Sequence, residues 1–135
     1  MSSAKVFGSR AKRLEDPALL TGNGRFIDDI SFSGLKHAAF LRSPHGHAAI
    51  RGIDSEAARA VAGVHAIFTL ADFKPYLSNE RLVVGLPSPA YRQDLNRPAL
   101  ADDEGVHVGE PVAIVVADTR YIAEDAAALI EVDYD

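Results

Sequence analysis

The sequence contains no cysteine among its 135 residues. This absence excludes disulfide bonds, thiolate nucleophiles, iron–sulfur ligation and cysteine-based zinc sites. Long hydrophobic runs are missing too, because the longest strongly apolar stretch, Val112 to Ala117, is far too short to span a bilayer. The charged N-terminus lacks the apolar core of a signal peptide. We therefore expect a cytoplasmic protein that does not enter a membrane.

A large excess of charge of either sign is also lacking. The formal net charge is −5, and charged residues make up 24% of the chain. Such a mildly acidic chain has no electrostatic reason to hold a polyanion, so nucleic-acid binding is not expected. A chain of this length can bury enough surface to form one hydrophobic core, but not enough for two domains and a large cofactor cleft. We predict an extended N-terminal arm over 1–15 and a single domain over 16–135.

Several catalytic motifs are absent. A dinucleotide-binding G-x-G-x-x-G after Gly22 and Gly24 would need glycine at position 27, where Ile27 stands. No serine occurs in a G-x-S-x-G setting and no lysine in a phosphate-binding loop. Pro17 and the glycines of the stretch 16–29 instead predict turns and loops. Nucleophilic and phosphoryl-transfer chemistry therefore has no support.

Local patterns predict a strand, helix, strand unit in the first half of the chain. Leu35 to Ser43 is bounded by Gly34 and Pro44 and favours a strand. A second strand over 48–53 leads to Asp54, which can cap a short helix, SEAARAVA, that Gly63 ends. Alternation over 64–70 predicts a third strand with its larger residues, Val64, Ala66, Phe68 and Leu70, on one face.

The second half repeats this order without enough side-chain identity to indicate a sequence repeat. The β-branched run over 111–118 is typical of a strand covered on both faces. Asp118 or Thr119 can cap the helix that follows, and 130–134 alternates as a half-buried strand. Because that alternation is still running at the last residue, we expect the chain to be cut there. The elements together predict an α+β fold with a mixed sheet and two short-to-medium helices.

The stretch from 71 to 99 separates the two halves and is rich in proline, so we expect it to form no regular element. A loop of this length inside a compact domain is typically functional. We interpret it as a loop that faces a site or a partner.

Few side chains suggest chemistry. His45 and His47 have the spacing of two zinc ligands on a strand, but no second close pair of histidines accompanies them, and loop histidines bonding the backbone are favoured. The acids at 28–29 and 102–104 are best interpreted as hydrated turn residues. Glu110 precedes a buried strand, where it can either accept backbone amides in the turn, the favoured interpretation, or face a site.

Three stretches, RLEDPALLTGNGRFIDDI, HAAFLRSPHGHAAIRGID and GEPVAIVVADTRYIAEDAAALIEVDY, occur in this order. Together they resemble the N-terminal α/β-hammerhead domain of the molybdenum-binding large subunit in the xanthine dehydrogenase, aldehyde oxidase and carbon monoxide dehydrogenase family. The resemblance covers roughly residues 8–135. It implies an oxidoreductase complex in which a molybdopterin cofactor, iron–sulfur clusters and FAD carry the reaction, with none of these cofactors in this chain.

The family's molybdenum-binding domains, with their catalytic glutamate, have no counterpart in this sequence. The resemblance therefore implies a split or truncated piece of a molybdenum hydroxylase with a structural and assembly role, inactive alone, whose partners are those missing domains. We expect the isolated chain to self-associate. The alternative is a stand-alone protein-interaction or small-ligand-binding module that kept the fold.

The resemblance also places one loop near the substrate path. In the family, the proline-rich loop before the GEP motif lies near the funnel that leads to molybdenum, and it matches approximately Val84 to Asn96. Tyr91 and Leu95 of this loop, and Glu110 of the motif, are the candidate funnel or interface residues. No residue is assigned as catalytic, cofactor-binding or metal-ligating.

Overall fold

The computed structural model describes Gly8 and residues 12–82, 88–92 and 96–135. It divides the chain into two compact units, Met1–Gly34 and Leu35–Asp135. The boundaries expected from the sequence, an arm over 1–15 and a domain over 16–135, stay a prediction.

The first unit contains one short α-helix, α1 (Asp16–Leu20), and a 3-10 turn, Ile27–Asp29. Turns alone were predicted here, and that prediction is wrong for α1. Pro17 lies in the first turn of the helix, where its missing amide costs nothing and its fixed φ favours helical geometry. None of the residues described in this unit is buried, so Gly8 and residues 12–34 form no hydrophobic core.

The described part of the second unit carries strands and three further helices. The strands are β1 (His37–Arg42), β2 (Ala48–Asp54), β3 (Val64–Phe68), β4 (Arg81–Leu82), β5 (Arg97–Pro98), β6 (Glu104–Gly105), β7 (Pro111–Ala117) and β8 (Glu131–Tyr134). The helices are α2 (Glu56–Arg59), α3 (Leu70–Phe73), which runs into a 3-10 turn over Lys74–Tyr76, and α4 (Arg120–Ala128).

The core lies between one sheet and α4. Strand β7 is the middle of the antiparallel sheet β1–β7–β3, and its residues Val112, Val115 and Ala117 are fully buried. Helix α4 packs its fully buried Ala123 and Ala126 against this sheet. Because alanine side chains are small, they let the helix approach the sheet closely.

Two smaller sheets complete the unit. Strand β2 lies between β6 and β8, both antiparallel to it, and β8 forms one edge. Strands β4 and β5 pair over two residues each. The predicted α+β class is confirmed, with three small antiparallel sheets in place of one mixed sheet.

Capping residues behave as the sequence predicts. The amide of Glu56 donates to the Asp54 carboxylate at 2.9 Å, at the start of α2. The amide of Ile122 donates to the Thr119 hydroxyl at 3.2 Å, so Thr119 and not Asp118 caps α4. Helix α2 is shorter than predicted, because it ends at Arg59.

Two predictions about the middle of the chain are wrong. The third strand ends at Phe68, and Leu70 begins α3. A register shift lies between Val64 and Ala66, and the buried residue of β3 is Ile67, at 2% exposure, which was not among the residues predicted to share a face. The stretch 71–99 does contain regular elements, since most of α3 and the strands β4 and β5 fall within it.

Candidate functional site

A groove of about 770 Å³ opens in the second unit, at the base of the chain segment that joins β4 to β5. Strand β5 and the turn between β6 and β7 line it, together with residues that precede β4. Its lining residues are Leu70, Glu80, Arg81, Asn96, Arg97, Pro98, Asp102, Asp103, Glu104, Val106, His107 and Glu110. The groove is therefore polar, and among its described lining residues five carboxylates outnumber two arginines.

Arg81 shapes the wall formed by β4 and β5. Its Nε and Nη2 donate to the carbonyl oxygen of Asn96 at 3.1 and 2.7 Å. The amide of Arg81 itself donates to Oδ1 of Asn79 at 3.2 Å. The sequence alone did not point to Arg81, because its partner Asn96 lies 15 positions away and no short motif links the two.

Ion pairs hold the opposite, acidic wall. Lys74 Nζ donates to the Asp102 carboxylate at 2.6 Å, and this contact raises the pKa of Lys74. His47 Nε2 and Glu104 Oε2 are 2.8 Å apart. The prediction that 102–104 are hydrated turn acids is therefore incomplete, because two of these exposed carboxylates have cationic or imidazole partners.

Glu110 is the most deeply buried carboxylate of the groove lining, with 2% exposure. Its Oε2 accepts the amide of Val106 at 2.6 Å and lies 3.5 Å from Nδ1 of His107. Its own carbonyl accepts the amide of Ser43 at 2.9 Å. Glu110 thus accepts a backbone amide in the turn, as the favoured interpretation predicts, and it also contributes to the groove surface.

Of the two loop candidates, the structure describes Tyr91. Tyr91 is 52% exposed and follows a turn in which its amide donates to the carbonyl of Ser88 at 3.1 Å. Leu95, the other candidate, lies outside the described residues, as do 83–87. Glu110 therefore contributes to the groove lining, and the described Tyr91 is not among the lining residues.

The two histidines of the SPHGH turn have separate partners. The His45 ring packs edge-on against Tyr134, with centroids 4.7 Å apart, and its amide donates to the Ser43 hydroxyl at 3.2 Å. His47 pairs with Glu104 instead. Within 12–82, 88–92 and 96–135 no group of three or more histidine, aspartate or glutamate residues is arranged to hold a metal ion.

A second polar cluster, which no sequence pattern predicted, lies away from the groove. Asp118 follows β7 and accepts hydrogen bonds from Lys36 and from His65 Nε2, the latter at 2.8 Å. These two partners hold the pKa of the Asp118 carboxyl at about 2, below its ordinary 3.8. The cluster joins the residue ahead of β1, the strand β3 and the end of β7, so it ties the central sheet together.

The small antiparallel sheets, the packed helix α4 and the long connection ahead of β7 define an α+β domain with a polar groove. Residues 21–135 match the family model of the aldehyde oxidase and xanthine dehydrogenase a/b hammerhead domain. The chain therefore belongs to this family as its hammerhead domain, which confirms the resemblance found in the sequence.

Relatives support the same family. The large subunit of nicotine 6-hydroxylase from Paenarthrobacter nicotinovorans is 41% identical over 96% of this chain and 16% of its own length. The carbon monoxide dehydrogenase large chain of Afipia carboxidovorans is 38% identical over 95% of this chain and 15% of its own length. Other relatives bear the names xanthine dehydrogenase molybdenum-binding subunit and aldehyde oxidoreductase.

A solved structure shows the same fold. Quinoline 2-oxidoreductase from Pseudomonas putida 86 superimposes with a TM-score of 0.83 and 43% identity, over 93% of this chain and 16% of that one. The chain thus spans about one sixth of the relatives that it matches. Among its described residues, no helix is long and apolar enough to cross a membrane.

Proposed function

We propose that this chain serves as the hammerhead domain of a molybdenum hydroxylase, with a structural and assembly role and no turnover of its own. The observation that carries the proposal is the match of nearly the whole chain to about one sixth of much longer oxidoreductase large subunits. Its partners are then the molybdenum-binding domains that make up the rest of such subunits. The comparisons offer no support for the alternative of a stand-alone binding module.

The donor atoms of this chain do not fit the metal cofactors of the complete enzyme. The sequence has no cysteine to ligate an iron–sulfur cluster, and the part of the chain that the structure describes has no cluster of three metal-ligating side chains. Molybdopterin, iron–sulfur clusters and FAD, which the family resemblance implies, would then be held by the other domains. The contribution of this chain is therefore to shape and support the surface that those domains meet.

The segment between β4 and β5 is proposed to border the route of substrate to molybdenum, with Tyr91, Leu95 and Glu110 as its candidate residues. Tyr91 is half exposed, and the polar groove lies at the base of the same segment. An exposed aromatic side chain gives contact area to a partner domain or to a planar substrate. Glu110 would support this surface from below, by holding the turn between β6 and β7.

Isolation of the tagged protein from its native cells tests the assembly role. Mass spectrometry of the untreated preparation should identify molybdenum-binding domains, on the same polypeptide or on a co-purifying one, together with this domain. Recovery of this domain without any molybdenum-binding partner would contradict the proposal and favour the stand-alone module. The isolated chain should self-associate as a second consequence, which analytical ultracentrifugation measures.

A further inference from the structure

The central sheet β1–β7–β3 is apolar on both of its faces. Side chains directly opposite each other on neighbouring strands lie on the same face, and successive side chains of one strand alternate between the faces. One face belongs to the core that α4 covers, with Ala39, Leu41, Val64, Ile67, Ala113, Val115 and Ala117. The other face, which we call the outer face, carries two rows that cross all three strands, Phe40–Ile114–Phe68 and Ala38–Val116–Ala66. Neither row contains a polar side chain.

The outer face is open over part of its area. Phe68, at one end of its row, packs against Phe73 of α3, with ring centroids 5.4 Å apart. At the other end Phe40 is 45% exposed, and Ala38 beside it is exposed too. An antiparallel sheet that meets water on one face normally carries polar side chains there. An open apolar patch in their place indicates a surface for another protein.

Polar side chains border the outer face at both ends of β1. Asp118, which follows β7, accepts hydrogen bonds from Lys36, ahead of β1, and from His65 of β3. At the far end of β1, the guanidinium of Arg42 lies 5.4 Å from the centroid of the Phe40 ring. An apolar centre inside a polar rim is the anatomy of a protein–protein interface, in which aromatic residues and arginine carry much of the binding energy.

The relatives indicate what covers this face. The chain matches 16% of the nicotine 6-hydroxylase large subunit and 15% of the carbon monoxide dehydrogenase large chain, so most of each subunit lies outside the matched region. The two rows carry no charge of either sign, so they fit an apolar protein surface and not a charged ligand. Domains of one enzyme meet at high effective concentration, which favours them over a second copy of this chain.

We propose that the outer face docks on an apolar surface of the molybdenum-binding domains of the same enzyme, with Phe40 as its anchor. The identity of this partner rests on the proposed function. The face itself rests only on the register, burial and ring contacts of β1, β3, β7 and α3.

Hydroxyl-radical footprinting of the native enzyme that contains this sequence, and of the isolated 135-residue chain at a concentration where it sediments as a monomer, tests the interface. Oxidation of Phe40 should be at least about fivefold slower in the native enzyme, because its 45% exposure falls to that of an interface core. Tyr121 is the internal control, since it is 79% exposed on α4, on the opposite side of the sheet, and it should keep its rate. Equal oxidation of Phe40 in both samples, or equal protection of Phe40 and Tyr121, would overturn the docking face.

Two substitutions at sites of matched exposure separate docking from folding. Phe40→Glu places a carboxylate on the outer face, and Leu129→Glu places one after α4, where the leucine is 46% exposed. The two isolated variants should have similar urea midpoints, because both side chains are half exposed. In the native enzyme, Phe40→Glu should return the oxidation rate of Phe68 to that of the isolated chain, because an unpaired charge in an interface is unfavourable.

Leu129→Glu should keep the protection of Phe68 that the native wild type shows. Ala38→Glu repeats the test at an exposed small residue of the same face and leaves the aromatic ring in place, so a folding defect of Phe40→Glu does not prevent a decision. Wild-type protection of Phe68 in both outer-face variants would overturn the proposal, as would an equal loss of protection in Leu129→Glu.

The measurements distinguish failure of this interface from failure of the proposed function. Recovery of the molybdenum-binding domains together with this domain, while Phe40 oxidises as fast as in the isolated chain, overturns the docking face and leaves the proposed function intact. Recovery without those domains contradicts the proposed function. Protection of Phe40 that appears only when the isolated chain dimerises, and not in the native enzyme, assigns the face to a second copy and overturns the proposed partner.

Discussion

The carboxylate of Glu110 should stabilise the turn that leads into β7. Glu110→Ala removes the acceptor that holds the Val106 amide at 2.6 Å and the nearby contact to His107, and it leaves space next to Ser43 and Gly105. A hydrogen bond to a charged group contributes about 1.5–3 kcal/mol. With a small cavity term added, the loss should be about 3 kcal/mol of the free energy of unfolding.

Urea denaturation followed by circular dichroism measures this loss. Glu110→Gln keeps an acceptor of the same shape, so its loss should be about 1 kcal/mol. The matched control is Glu104→Ala, which removes an exposed carboxylate from the same groove and breaks a surface pair worth less than about 1 kcal/mol. Equal stability of Glu110→Ala and the control would refute the structural role of Glu110 and favour a purely site-facing carboxylate.

Two further predictions concern the central sheet. Lys36 and His65 depress the pKa of Asp118 from 3.8 to about 2. Their contribution to the free energy of unfolding is therefore complete above the pKa of Asp118 in the unfolded chain, and it disappears as the pH falls towards 2. The difference in urea midpoint between the wild type and Asp118→Asn should therefore shrink over this interval, and a constant difference would contradict the ion cluster. Gly63 has a φ of +89°, and an added Cβ would lie 3.0 Å from Ile122 Cδ1. Gly63→Ala should cost about 1–2 kcal/mol, and Gly46→Ala, which meets nothing within 4 Å, should cost less than half of that in the same assay.

The elements that the sequence predicts best are those with a local signal. Strand β7 is a β-branched run because both of its faces are covered, and its neighbour α4 begins at a threonine that caps it. The family resemblance rests on longer stretches and is likewise confirmed. These features need no knowledge of how distant parts of the chain meet.

Features that depend on long-range packing were missed. The register shift in β3, which places Ile67 in the core, is set by pairing with β7 and leaves no mark in the alternation of 64–70. The contacts that build the groove join residues 15, 28 and 57 positions apart, as in Arg81 with Asn96, Lys74 with Asp102 and His47 with Glu104. No periodicity or short motif encodes such pairs, so among the described groove residues Glu110 alone was predicted as a site candidate.

Molybdenum content and turnover, measured side by side for the isolated chain and for the native protein that contains it, test the central claim most directly. The native protein should hold about one molybdenum per copy of this domain and hydroxylate a C–H bond of its substrate, following the family resemblance. The isolated chain should contain no molybdenum and show no turnover with any heterocycle, aldehyde or carbon monoxide. Stoichiometric molybdenum and oxidation of such a substrate by the isolated chain would contradict the account.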